Sequence, residues 1–280
     1  MLFGAHVSSA GGIWQAIDRA EEMGCDAVQV FTQSPRMWRP TAHTPEAIAR
    51  FRERRDEACV GAVVCHALYL VNLASPDPVL HDKSVTAMRA TLETADAIGA
   101  EGVIFHVGSH LGAGFDVGLA QIVPALKGLL ELTTDNLWLL MENSAGTGGT
   151  IGRSTDELGA IYAALDHHPR LGICLDSCHW YASGVDVTDG AMLDAAVADL
   201  DRQIGLDRLR CLHVNDSKEP LGSNRDRHDS MGKGLMGKGL HTFLAHPAFQ
   251  ALPAILETPG PDGHGPNALE LKRLKRLAKG

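Results

Sequence analysis

Gly102-Val103-Ile104-Phe105-His106 is a short apolar run, rich in branched and aromatic residues, that closes on an imidazole. The same design recurs along the chain: AVVC before His66, LWLLM before Glu142, LGICL before Asp176, RCL before His213 and PAIL before Glu257. These closing residues stand 40, 36, 34, 37 and 44 positions apart. Each run has the length and branching of a parallel strand buried on both faces, and each interval accommodates one strand, one helix and two loops. The spacing therefore predicts a (β/α)8 TIM barrel, whose strand C-termini meet on one face and bring distant side chains together.

The flanking sequence completes the count. Leu2–Val7 and Ala27–Phe31 read as the first two strands, 209–214 and 254–257 as the last two, with the others at Ala62–His66, from Gly102, from Leu137 and at Leu171–Asp176. Between them Ile13, Ile17, Ala20 and Met23 recur at helical spacing up to a stop at Gly24, and Thr44-Pro45-Glu46 opens a second helix with a capping residue and an N1 proline. Further helices are predicted over 78–98 with a stop at Gly99, 117–133, 191–204 and 266–277, and Ser154 with Glu157 forms a capping box for another. The longest loops, 32–44 and 215–239, are polar, glycine-rich and follow strand C-termini, where barrel enzymes carry function. At 280 residues the chain matches one barrel, so a single domain over 1–280 is expected.

Composition is that of an ordinary globular protein, 45% hydrophobic and 21% charged. Six cysteines lie scattered, mostly in apolar runs, and are expected to be reduced and buried; Cys174 and Cys178 suggest a zinc pair, but Asp176 and His179 overlap them and are the stronger ligands. The first residues lack a basic segment and a long apolar run, and no stretch nears the roughly 18 apolar residues of a membrane span, so a cytoplasmic protein without membrane contact is expected. The net charge of −9 argues against a protein coated in positive charge for nucleic acid. Three divalent ions would reduce it to −3, so a local anion site remains compatible with it.

Imidazoles and carboxylates without thiolates suit Zn²⁺, Mn²⁺ or Fe²⁺ in a catalytic site. His66, His106, Glu142, Asp176, His213 and Glu257 exceed what one tetrahedral ion needs, which points to two ions sharing a carboxylate. His179 lies just past the sixth strand, and Asp226-Arg227-His228 places a carboxylate and an imidazole two residues apart, so this second group can hold a third ion. Three divalent ions suit phosphoryl transfer, because metals stabilise both the attacking and leaving oxygens of an in-line displacement. The residues thus suggest a phosphodiesterase.

The segments GAHVSSAGG (4–12), HALYLVNLASP (66–76), FHVGSH (105–110), ENSAGTG (142–148), CLDSCHWYASGVD (174–186), HVNDSKEPLGSNRDRH (213–228) and ILETP (255–259) resemble the endonuclease IV family of abasic-site DNA endonucleases, in the family's order and over nearly the whole chain. The resemblance implies three zinc ions, with manganese or iron as alternatives. His66, His106 and Glu142 would hold the first, Glu142, Asp176, His213 and Glu257 the second, and His179, Asp226 and His228 the third. Glu142 would bridge two ions with a hydroxide nucleophile between them, and Glu257 would help orient it. The implied reaction cuts the phosphodiester 5′ to an abasic site in double-stranded DNA, leaving a 3′-hydroxyl and a 5′-deoxyribose phosphate, and also clears blocked 3′ ends. The implied state is a monomer that meets the nucleoid through its DNA substrate.

The resemblance further implies that Arg36, Tyr69 and Leu70 enter bent DNA beside the flipped abasic nucleotide, where an abasic gap makes unstacking cheaper. Arg153, Lys218, Arg225 and Arg227 are candidate phosphate contacts. Asn215 and Ser109 are expected to hydrogen-bond ligands or phosphate, and His6 and His110 to orient ligands without binding metal. Departures from the family pattern are Thr147, Ser34-Pro35 and Lys233, none of them a ligand. A metal-dependent sugar isomerase or epimerase is the main rival, but has no use for the Asp226 and His228 set. An amidohydrolase lacks support because Ala5-His6-Val7 contains no His-x-His pair. A non-catalytic binder of damaged DNA would keep affinity without incision.

Overall fold

The computed structural model describes residues 1–260 and 262–280. Eight parallel strands close into a barrel: β1 (Leu2–Val7), β2 (Ala27–Phe31), β3 (Ala62–His66), β4 (Gly102–His106), β5 (Trp138–Glu142), β6 (Leu171–Asp176), β7 (Leu209–His213) and β10 (Pro253–Leu256). They neighbour one another in sequence order, and β10 closes the ring against β1. Two-residue strands β8 (Asp216–Ser217) and β9 (His228–Asp229) pair antiparallel between β7 and β10. The α-helices among the described residues are α1 (Gln15–Met23), α2 (Pro45–Glu57), α3 (Pro78–Ile98), α4 (Phe115–Leu130), α5 (Thr155–Ala164), α6 (Ser177–Ser183), α7 (Gly190–Gln203), α8 (Leu240–Ala245) and α9 (Ala268–Leu277).

The signals anticipated at helix ends operate as chemistry. Thr44 and Ser154 accept N–H groups of Ala47 and Glu157 at the starts of α2 and α5, and the Glu157 carboxylate returns to the N–H groups of Gly152 and Arg153. Gly24 and Gly99 end α1 and α3 with φ of 76° and 75°, a left-handed turn that a Cβ disfavours. Most ends shift by one or two residues from those expected from sequence, the last helix for example opening at Ala268 and not at 266, and some differences bear on the site. The fourth helix spans Phe115–Leu130, not 117–133, because the chain leaves it through a turn from Thr133 N–H to the Leu130 carbonyl. The last barrel strand ends at Leu256, so Glu257 lies one residue beyond it. The segment expected as one loop over 215–239 contains the β8–β9 ribbon, and α6 follows β6 without an intervening loop.

Strand periodicity explains where the site forms. Successive side chains alternate between the helix-facing shell and the barrel interior. Ala27, Val64, Ile104, Leu140, Cys174, Cys211 and Ile255, one from each of seven strands, pack together as a separate apolar cluster inside the barrel. On β1 the matching position is Gly4, where a Cβ would stand 2.1 Å from the Ala27 carbonyl oxygen and 2.9 Å from Ile255 Cδ1. Two residues further along each strand come His6, Gln29, His66, His106, Glu142, Asp176, His213 and Glu257. The dry layer is thus a floor, and the next interior ring is polar.

Candidate metal centre

The nine imidazoles and carboxylates singled out in the sequence converge above that floor. Ligand-capable atoms of His66, His106 and Glu142 lie within 4.8 Å of one another, as do those of Glu142, Asp176, His213 and Glu257, and those of His179, Asp226 and His228. Glu142 belongs to two of the groups. Its Oε2 lies 3.2 Å from His66 Nε2 and 3.5 Å from His106 Nδ1, while its Oε1 lies 2.8 Å from His213 Nδ1 and 3.4 Å from His179 Nδ1.

Local backbone chemistry aims the third group. Asp176 caps α6 by accepting the His179 N–H at 2.7 Å, which fixes the first turn and carries the His179 ring over the barrel mouth. His179 Nε2 then lies 3.2 Å from Asp226 Oδ2, and His228 Nε2 lies 3.0 Å from Asp226 Oδ1. The β8–β9 pairing, with Lys218 N–H bonded to the Arg227 carbonyl, brings that segment back over the mouth.

Burial and charge act against each other here. Burial alone would push the His213 imidazole down, but the charges of Glu257 and Glu142 outweigh it and raise its pKa to about 10. His228 is likewise raised to about 9, burial being overcome by Asp226. Burial works against ionisation of Glu142 and Asp226, yet neighbouring histidines hold both well below the usual carboxylate range. His106 is lowered, chiefly by burial.

The residues fit divalent cations. The donors are imidazole nitrogens and carboxylate oxygens without thiolate, and the buried His228 Nε2, though near Asp226, has no hydrogen-bond partner among the described residues. Thiols approach in two other groupings, Cys174 and Cys211 with His213, and Cys178 with Asp176 and His228. Burial pushes the Cys174 and Cys178 thiols upward, so they stay protonated and are weaker donors than the carboxylates. Cys174 and Cys178 form no pair with each other. All the cysteines are free, and Cys59 is exposed, contrary to the expectation of burial.

A cavity of about 310 Å³ opens onto the metal-capable groups, with Tyr69 and Arg227 in its wall. A larger groove of about 890 Å³ adjoins it, bounded by the segments after β1 and β2 and sharing Tyr69 and Glu257. Tyr69 is 60% exposed and meets Phe31 edge-on at 5.1 Å; burial of its hydroxyl, with the charges of Glu257 and Glu142, pushes its pKa up to about 12, and the positive charge of exposed Arg36 acts weakly against that. Leu70 instead packs partly buried against the core. Arg153 borders a separate cavity of about 450 Å³. Lys218 and Arg225 are exposed, Arg225 lying 3.8 Å from Glu219, and neither lines the metal cavity.

Asn215 hydrogen-bonds two of the candidate ligands. Its Nδ2 donates to Asp176 Oδ2 at 2.7 Å, and its Oδ1 accepts the Glu257 N–H at 2.9 Å. His6 Nδ1 lies 3.6 Å from Glu257 Oε1. His110 does not orient a ligand: its Nδ1 accepts N–H groups of Gly112 and Gly114 and shapes its own loop. The Ser109 hydroxyl donates to the Gly148 carbonyl, tying two loops together. Two residues escaped the sequence reading. Asn143 Oδ1 accepts the Asp176 N–H at 2.6 Å while its Nδ2 donates to the Asp176 carbonyl, and Gln29 links Glu257 with His213. For Gln29 the signal was present, since it stands two residues after the interior Ala27 as His66 stands after Val64.

The family described as xylose isomerase-like TIM barrel matches residues 17–278. The probable endonuclease 4 of Halorhodospira halophila is 41% identical over 281 residues, covering 99% of this chain and 94% of that protein. The probable endonuclease 4 of Geobacter sulfurreducens is 38% identical over 278 residues, covering 99% and 94%. The crystal structure of endonuclease IV from Thermus thermophilus superposes with a TM-score of 0.87 at 34% identity, covering 100% of this chain and 99% of that one.

Proposed function

The chain belongs to the endonuclease IV family, and from that premise we propose that it is a DNA-repair endonuclease that hydrolyses the phosphodiester 5′ to an abasic site in duplex DNA, using three zinc ions. The products are a 3′-hydroxyl and a 5′-deoxyribose phosphate, and the same chemistry removes blocking groups from 3′ ends. The observation that carries this reading is the division of nine side chains into three groups, two of them joined through Glu142.

His66, His106 and Glu142 hold the first ion, Glu142, Asp176, His213 and Glu257 the second, and His179, Asp226 and His228 the third. Manganese or iron suits the same donors. Divalent ions, when bound, supply Lewis acidity at the phosphate and lower the pKa of water enough for attack at neutral pH. The protein's part is orientation. Glu142 directs its two oxygens to different groups, and Asn215 fixes Asp176 and Glu257 relative to each other. Arg227 contributes positive charge at the cavity wall where an anionic backbone enters. Exposed Tyr69, with Arg36 near it, fills the gap left in the stack by an extruded abasic nucleotide, and Leu70 supports that loop from the core side. Arg153, Lys218 and Arg225 engage phosphates further from the cut.

A sugar epimerase would leave the His179, Asp226 and His228 group without a task. The test is incision of a labelled abasic duplex by wild type and Glu257→Gln, before and after chelation. Metal-dependent cutting by wild type, with Glu257→Gln still binding the duplex but failing to cut, is the expected result. Chelator-resistant cutting, or near-normal cutting by the variant, contradicts the assignment.

A further inference from the structure

Two of the eight strands contribute no metal-capable group to the three sets, yet one of them, β2, sends a fully buried amide into the polar ring. Gln29 Nε2 donates to Glu257 Oε1 at 2.6 Å and lies 2.8 Å from His6 Nδ1, while its Oε1 lies 2.7 Å from His213 Nε2. The orientation of this amide follows from its partners. An ionised carboxylate only accepts, so the NH₂ end must face Glu257, and the carbonyl end is left for His213. His213 Nε2 must then carry a proton. In the neutral ring the lone pair falls on Nδ1, the nitrogen that lies 2.8 Å from Glu142 Oε1 and 3.1 Å from Glu257 Oε2.

We propose that Gln29 is a positioning residue for the second metal group, holding His213 in the tautomer that presents Nδ1 and occupying Glu257 Oε1, which would leave Oε2, 3.1 Å from that Nδ1, for an ion. The inference rests on the three-ion reading above. One side chain thereby sets two ligands from different strands, β7 and the end of β10. Its second amide hydrogen is taken by His6 Nδ1, so that nitrogen braces Gln29, while His6 Nε2 is buried without a hydrogen-bond partner among the described residues. All three polar contacts are made inside the barrel, where a half-satisfied amide is costly. A hydrogen bond on the remote nitrogen also makes the imidazole a more basic ligand.

The experiment compares wild type with Gln29→Met, which retains the volume and removes every hydrogen bond. Zinc is titrated against a competing chelator, and the His213 ring is followed by ¹⁵N-correlated NMR in the zinc-loaded protein. Expected is a loss of about 10- to 100-fold in affinity for one of three ions, the other two unchanged, with the His213 Nε2–H resonance shifted or exchange-broadened. If Gln29→Met does not fold, Gln29→Asn, polar but one methylene too short to span its partners, is expected to give the same pattern. Three unchanged affinities with an unmoved resonance, or equal weakening of all three, would overturn the proposal while leaving the metal centre intact. Absence of bound zinc in wild type would remove the metal centre and this role with it.

Discussion

Glu142 Oε1 lies 2.8 Å from His213 Nδ1, while the other oxygen of the same carboxylate lies 3.2 Å from His66. One fully buried side chain therefore faces two ligand groups arriving on different strands. Glu142→Gln keeps the volume but replaces one acceptor oxygen by a donor. Expected is a fall in bound zinc from three ions towards one, and a loss of incision of at least about 100-fold, the scale typical of removing a group that acts on the reacting centre. Elemental analysis with an abasic-duplex assay checks both. Three retained ions would refute the shared-ligand role.

Of the three imidazole and carboxylate groups His228 enters the outer one alone, and its buried Nε2 has no hydrogen-bond partner among the described residues. His228→Ala is expected to hold two ions and to turn over at least about 10- to 100-fold more slowly, since even outer partners of ligands have effects of that size. Two ions in both proteins would show that the Asp226 and His228 set does not bind metal.

Tyr69 and Leu70 looked alike in the sequence, but the fold separates them. Tyr69→Ala is expected to change unfolding free energy by no more than about 1 kcal/mol, because the side chain is 60% exposed and its ring meets only Phe31, edge-on at 5.1 Å, and His66, tilted at 6.2 Å, among the described aromatic pairs. It should nevertheless weaken binding to abasic duplex selectively over intact duplex. Leu70→Ala should lower stability more than Tyr69→Ala does, because Leu70 packs against the core. Chemical denaturation and paired binding titrations distinguish the two.

Metal-free and zinc-loaded protein should differ in how stability responds to pH. In the metal-free state the raised histidines, His213 to about 10 and His228 to about 9, bind protons more tightly folded than unfolded. Their contribution is fully present below the ordinary histidine value near 6.5 and is lost as pH rises towards 9 and 10. The depressed carboxylates Glu142 and Asp226 contribute above their ordinary values, and that stability is lost as pH falls through their folded values. Zinc requires deprotonated rings, so the loaded protein should gain stability from pH 5 to about 6.5 and then level off. Thermal melts across pH 5 to 9 check this. A metal-free protein that grows more stable from pH 7 to 9 would contradict the sign.

The barrel was legible because its strands announce themselves twice, as apolar runs and as regularly spaced polar terminators. His66, His106, Glu142, Asp176 and His213 each end a strand, and Glu257 follows one directly. The third group, His179 with Asp226 and His228, is legible in the residues themselves, but the division of the other six around Glu142 comes only from the resemblance, since spacing along a chain does not say which atoms meet above a barrel. Gln29 and Asn143 do not stand out in the sequence because amides are weak ligands for zinc-type ions, although the period of two that places His66 above Val64 also places Gln29 above Ala27. The β8–β9 ribbon escaped notice because two-residue strands carry no periodicity. Leu70 and Tyr69 could not be told apart, because neighbouring apolar residues in a loop give no sign of which one turns inward.

The most direct test of the account is end-group analysis of a synthetic duplex with one abasic site, treated with zinc-loaded wild type. A single cut 5′ to the site is expected, leaving a 3′-hydroxyl that a polymerase extends and a 5′-deoxyribose phosphate, with no cutting of the intact duplex. A cut on the 3′ side, equal cutting of intact DNA, or no cutting by protein that holds three ions would contradict it.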